Sequence, residues 1–206
     1  AMDADEIAEL RSFYVAAARR AEAAGFDIVT VYAAHGHSIT QQFLEPFYNK
    51  RDDEYGGSLA NRARFWLEVL EMIRDAVGGS CAIAARIGVD TNREPGVPLE
   101  EARQFIAWAD DLVDLWDVTI SNVIDWHHDV TPARMYAENY QRPWLEGMRD
   151  ATKKPVVGVG RFVSPDVMAE AVHGGVLDVI GAARPSIADP FLPSKIEQGR
   201  SDDIRE

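Results

Sequence analysis

From about Glu6 to Ala24 apolar residues return every three or four positions, and the run stops at Gly25, a residue suited to ending a helix. A continuous apolar stretch follows, predicting a strand over Ile28–Ala34. The polar segment "NKRDDEYGGS" then leads to Ser58, a natural N-cap for a long helix reaching Val77. Further along, the pattern predicts strand Cys81–Val89, helix Leu99–Asp111 and strand Leu115–Ser121. After a long polar loop come a helix near Trp144–Ala151 and a strand, "KPVVGVG", ending at Gly160. Ser164-Pro165 reads as N-cap and first helical residue of the next helix. A final strand is expected over Leu177–Ala183, with a terminal helix after Pro190.

Helix and strand alternate throughout, and the strands are unbroken apolar runs rather than period-two alternations. That is the signature of a parallel sheet covered by helices. An open doubly wound sheet that binds a dinucleotide carries a glycine fingerprint after its first strand. Here "GVGR" has the wrong spacing and comes late. A (β/α)₈ barrel instead places a phosphate site after its seventh and eighth strands. The last two strands here end in "GVGR" and "GAAR", which favours the barrel. Only five strands are evident, so the expectation is a partial barrel holding strands four to eight, read as one domain over residues 1–206.

Composition narrows the function without naming it. The 206 residues carry a net charge of −13, which disfavours nucleic acid and anionic membranes as partners. No apolar run reaches the roughly 20 residues of a membrane span, and nothing resembles a secretion signal. The lone cysteine, Cys81, has no disulfide partner in the chain and is compatible with a reducing cytoplasm.

Active sites of β/α barrels lie at the C-terminal ends of strands. The first strand delivers Tyr32 and His35 there, and the second delivers Arg86. After the third come Trp126, His127, His128 and Asp129, and the last two end on Gly158, Gly160, Arg161, Ala183 and Arg184. Two guanidinium forks beside glycine-exposed amides fit a phosphate clamp, the alternative being surface arginines next to turns. Arg86 sits in an apolar strand, so it needs an anionic partner, either a carboxylate or a bound cofactor. Tyr32 and His35 are open to two readings, catalytic pair or capped core residues. The His-His-Asp run is open to two as well, a site loop or a solvated one, and a metal site is not expected there.

The segment "AAHGHSITQQFLEPFYNKRDDEYGGSLANRARFWLEVLE" resembles the Old Yellow Enzyme family of FMN-dependent β/α-barrel oxidoreductases. The likeness continues through "ARIGVD", "KPVVGVGR" and "GAARPSIADPFLPSKIEQG" and covers nearly the whole chain from about Phe13. Tyr32-x-x-His35, in place of the His-x-x-His or His-x-x-Asn of ene-reductases, resembles the amine-dehydrogenase branch, which includes trimethylamine and dimethylamine dehydrogenases. "WDVTISNVIDWHHD", with Trp126 and Asp129 three apart, is similar to that branch's substrate loop.

The resemblance implies oxidative N-demethylation of a small methylated amine, with electrons passed on to an acceptor. It implies FMN held by Arg86, Gly158, Gly160, Arg161, Ala183 and Arg184. It also implies a Tyr32–His35–Asp129 relay and a cation–π contact from Trp126. In that branch a 4Fe-4S cluster follows the barrel, and its cysteines are absent from this chain. The 206-residue chain by itself is therefore expected to bind FMN weakly and to be inactive. An NAD(P)H-dependent ene-reductase, a non-catalytic barrel piece and a homo-oligomer remain as alternatives.

Overall fold

Helix α1 (Ala4–Ala23) begins at a reciprocal cap. Asp3 accepts the Glu6 N–H, and the Glu6 side chain accepts the Asp3 N–H. It ends next to Gly25, whose φ of +82° is open to glycine and strained for other residues. This computed structural model describes residues 2–91, 93–121, 132 and 134–205.

Five parallel strands follow in chain order: β1 (Ile28–Ala33), β2 (Ala82–Gly88), β3 (Leu115–Thr119), β4 (Val156–Gly158) and β5 (Val179–Ile180). Each pairs with its sequence neighbour, in the order β1-β2-β3-β4-β5. A doubly wound sheet reverses direction at a switch point. This one never does, so it is a singly wound segment of a (β/α)₈ barrel, as the two terminal Gly/Arg turns predicted.

The crossovers are α2 (Ile39–Leu44), α3 (Leu59–Val77), α4 (Leu99–Ala109), α5 (Arg142–Arg149) and α6 (Pro165–His173). Two short helices, α7 (Ala183–Ala188) and α8 (Leu192–Glu197), come after β5.

Alternate strand residues divide between two environments. Ile83, Ala85, Ile87, Trp116, Val118 and Val156 are buried in the core formed with the helices. Its centre is aromatic: Trp66 of α3 stacks on Phe105 of α4 at 4.2 Å, and Phe105 meets Trp116 of β3 edge-on at 6.4 Å. The residues between them, including Tyr32, Arg86, Asp117, Thr119 and Val157, occupy the opposite face.

The glycine-rich stretch before α3 is a brace. Asn49 Nδ2 donates to the carbonyls of Phe43 and Tyr55, and Arg62 donates to those of Leu44 and Gly57. A Cβ at Gly56 would fall 2.0 Å from the Arg51 carbonyl oxygen, which accounts for glycine there. Much of the sequence that carries the family resemblance thus ties α2 to α3 and lies outside the chemistry.

Three expectations are corrected. Helix α2 was not anticipated, although "SITQ" has capping-box spacing and Ser38 does accept the Gln41 N–H. The last strand stops at Ile180, and Ala183 opens α7. After Gly181 N–H reaches the Gly158 carbonyl at 2.8 Å the ladder ends, and Pro185 is accommodated in the first helical turn.

Ser164 precedes α6 without capping it through its side chain. Glu138 accepts the N–H groups of Val163 and Ser164 and the Ser164 hydroxyl, at 2.8–3.1 Å. Burial alone would raise the Glu138 carboxyl, but these donors and Arg161 hold it below the ordinary value of 4.5. Its stabilising contribution is therefore complete above pH 4.5 and lost as pH falls through the lower folded value. Glu138→Ala is expected to cost about 1 kcal/mol at neutral pH. In urea titrations the gap from the wild type should close in acid, and a gap that persisted there would remove the carboxylate from this role.

Candidate active site

Tyr32, Arg86 and Asp117 stand in one row across the sheet. Tyr32 pairs with Arg86 in the β1–β2 register, and Arg86 pairs with Asp117 in the β2–β3 register. At the tip of β1 the backbone turns sharply: His35 has φ +60° and Gly36 has φ +69°. A left-handed conformation is uncommon for a residue with a side chain, though histidine adopts it more readily than most. It folds the imidazole back so that Nδ1 lies 2.6 Å from the Tyr32 hydroxyl. Polar residues three apart at the end of a core strand are thereby joined.

The turn is held from two other elements. His35 N–H donates to Ser121 Oγ at 2.5 Å, just beyond β3. Gln41 of α2 donates to the same oxygen at 2.8 Å and accepts the Gly36 N–H at 2.5 Å. Gly88 leaves room for this lock, since a Cβ there would lie 2.2 Å from Ser121 Cβ. Gln41, Gly88 and Ser121 were not singled out from sequence. Their role depends on three strand tips meeting, which local pattern does not reveal.

Beside this pair opens a cavity of about 260 Å³, lined by His35, Arg86, Asp117, Gln141, Arg161 and Arg184 among others. Arg86 Nη1 donates to Asp117 Oδ2 at 3.1 Å, so a carboxylate supplies its anionic partner. Burial holds the Asp117 carboxyl above the usual carboxylate range, against the opposing pull of Arg86 and His35. Asp117 was missed, although an aspartate inside the apolar run "LWDVTIS" is the kind of buried charge that marked Arg86.

Gln141 accepts the Ile120 N–H at 3.1 Å, which places its side chain at the end of β3. Gly160, Arg161, Ala183 and Arg184 all line the cavity. Gly160 has φ +145° and Arg161 φ +58°, so the chain after β4 follows a path that glycine permits. Arg184 also donates to the Pro132 carbonyl at 3.0 Å.

Gly158 does not belong with the others. A Cβ on it would meet Leu177 at 2.4 Å and Leu145 at 3.0 Å, so the glycine serves packing on the helix-covered face. Strand alternation explains this, because its neighbours Val157 and Val159 face the cavity. Trp126, His127, His128 and Asp129 lie outside the described residues.

The donor set suits an anionic, planar cofactor. Arg86 Nε is buried without a hydrogen-bond partner beside the cavity. At Gly181 a Cβ would come within 2.7 Å of Val159 Cγ1, so the backbone stays bare at the cavity wall. Two further arginines face the same space. The four thiolates that a 4Fe-4S cluster takes are not in this chain, whose one cysteine, Cys81, is buried with its thiol on the Phe26 carbonyl. Among the described residues no cluster of histidine, cysteine or carboxylate side chains is arranged for a metal ion.

The model of the NADH:flavin oxidoreductase / NADH oxidase family matches residues 1–203. The chain belongs to that family. The family likeness read from the sequence is thus established, and with it FMN as the cofactor class that the donor set suits.

Dimethylamine dehydrogenase of Hyphomicrobium sp. (strain x) is 49% identical over 205 residues, covering 98% of this chain and 28% of that protein. Histamine dehydrogenase from Rhizobium sp. 4-9 superposes with a TM-score of 0.93 at 50% identity, covering 100% of this chain and 30% of the other. The 6-hydroxypseudooxynicotine amine oxidase from Pseudomonas geniculata N1 gives a TM-score of 0.91 at 47% identity, again over 100% of this chain and 30% of that one. The chain therefore spans under a third of the length of these flavin-oxidoreductase relatives. None of its described helices is long and apolar enough to cross a membrane.

Proposed function

We propose that the protein is an FMN-dependent amine dehydrogenase that oxidatively N-demethylates a small methylated amine and passes the electrons to a separate acceptor. One observation carries the reading: a tyrosine hydroxyl 2.6 Å from a histidine nitrogen, at the mouth that also presents Arg86, Arg161 and Arg184. Amine-oxidising relatives near 50% identity support it.

Each described residue has a task in this reading. Bound FMN would supply the electron sink for the substrate C–H bond. Arg161 and Arg184, with the backbone at Gly160 and Ala183, would hold its phosphate. Arg86 would face the edge of the flavin ring that gains negative charge on reduction.

Amine oxidation needs a nitrogen lone pair, which an ammonium lacks. His35 Nδ1, in contact with the Tyr32 hydroxyl, gives the phenol a partner for its proton, and the pair governs ionisation in the pocket. Trp126 and Asp129 enter by the family resemblance alone. Trp126 would hold a methylated ammonium with a cation–π contact of about 0.5–2 kcal/mol, and Asp129 would orient His35.

An ene-reductase must instead donate hydrogen bonds to a substrate carbonyl oxygen. The two imidazoles, or imidazole and amide, of the ene-reductase pattern are replaced here by Tyr32 in contact with His35, which argues against that chemistry. Assays of the full-length parent protein with methylated amines and an artificial electron acceptor, and with activated alkenes and NAD(P)H, decide the matter. Turnover of the amines is expected. Turnover of alkenes alone would reverse the assignment.

A further inference from the structure

Arg86 uses only part of its donor set. Nη1 donates to Asp117 Oδ2, while Arg86 Nε and Asp117 Oδ1 are both buried without a hydrogen-bond partner. A guanidinium and a carboxylate in full register share two parallel hydrogen bonds. Here one is made, and each side keeps a buried polar atom without a partner. The two residues are cross-strand partners and both line the cavity. Asp117 thus braces Arg86 from one side through a single hydrogen bond.

Building on the FMN reading above, we infer that Asp117 is a positioning residue that fixes Arg86 and offsets part of its charge. In that role it sets the reduction potential of bound FMN, while cofactor retention rests with Arg161 and Arg184. The charged and titratable groups around Asp117 are Arg86 on β2, Tyr32 and His35 on β1 and its tip, and Arg161 and Arg184 after β4 and β5. Among them Arg86 and His35 act on its carboxyl most directly, and burial opposes both. Ionised, Asp117 cancels part of the Arg86 charge; protonated, it does not. The offset therefore exists above the pH at which Asp117 titrates and disappears below it.

Reductive titration of the FMN-loaded full-length protein at a series of pH values tests this, comparing wild type, Asp117→Asn and Arg86→Ala. Removing a negative charge beside the flavin eases reduction. Asp117→Asn should therefore show a more positive midpoint potential at high pH, converging with wild type as pH falls, with FMN content unchanged. An offset equal at every pH would mean a merely structural effect and would overturn the inference, as would no offset. If Arg86→Ala also leaves the potential unmoved, the FMN reading of Arg86 fails and the inference goes with it. If Arg86→Ala shifts the potential and Asp117→Asn does not, the inference alone fails. Should Asp117→Asn prove insoluble, Asp117→Ser removes the same charge, and the same pH-dependent offset is required of it.

Discussion

Replacing Tyr32 with Phe in the full-length protein is expected to lower kcat/KM for the amine by about 10²-fold, the lower end of what a positioned acid–base group contributes. The substitution removes one oxygen and no packing volume, so FMN content and the unfolding midpoint should stay at wild-type values. The diagnostic part is the pH profile. With the hydroxyl gone, His35 Nδ1 loses its 2.6 Å partner, and no proton can pass through that contact. The rate profile should therefore lose or displace the limb that reports it. A slower enzyme with an unaltered profile would exclude Tyr32 from proton handling and leave it a role in substrate placement.

The second large effect concerns the scaffold behind that row. Trp66 is fully buried and stacks on Phe105 at 4.2 Å, linking α3 and α4 to the back of β3. Trp66→Ala should destabilise the protein by about 3–5 kcal/mol, since it removes a large buried ring and leaves a cavity. Trp66→Phe should cost much less. It keeps an aromatic stack, and it removes an indole N–H that has no hydrogen-bond partner. Urea titrations of the two variants provide the comparison. A loss below about 1 kcal/mol for the alanine variant would mean that the aromatic layer collapses easily around the gap.

The fold was legible because its information is local. Unbroken apolar runs marked β1 to β3 to within two residues at either end. Ser58 showed where α3 begins, and its hydroxyl does accept the Asn61 N–H. The errors fall where a long-range partner overrides a local signal. Glu138, far from Ser164 in sequence, accepts the serine hydroxyl, which then does not cap α6. The predicted final strand ends early because its ladder partner, β4, is itself three residues long.

The site divides the same way. Tyr32, His35, Arg86, Arg161 and Arg184 were visible as polar residues at the ends of apolar strands. Asp117, Gln41, Gly88 and Ser121 were not, because each matters only through a neighbour on another strand. Gly158 was misassigned by grouping it with Gly160, although one step along a strand exchanges its two faces.

The division of each strand between aromatic core and charged row makes folding accuracy and chemistry one requirement. A slip of β2 by one residue would present Ile87 at the mouth and drive the guanidinium of Arg86 into the buried hydrophobic core behind the sheet. Misaligned species are thus penalised by the same group that the proposed reaction would use. The inward positions, by contrast, can be rewritten without disturbing the helices behind them, which leaves this half of the barrel free to acquire new substrates while its scaffold stays as it is.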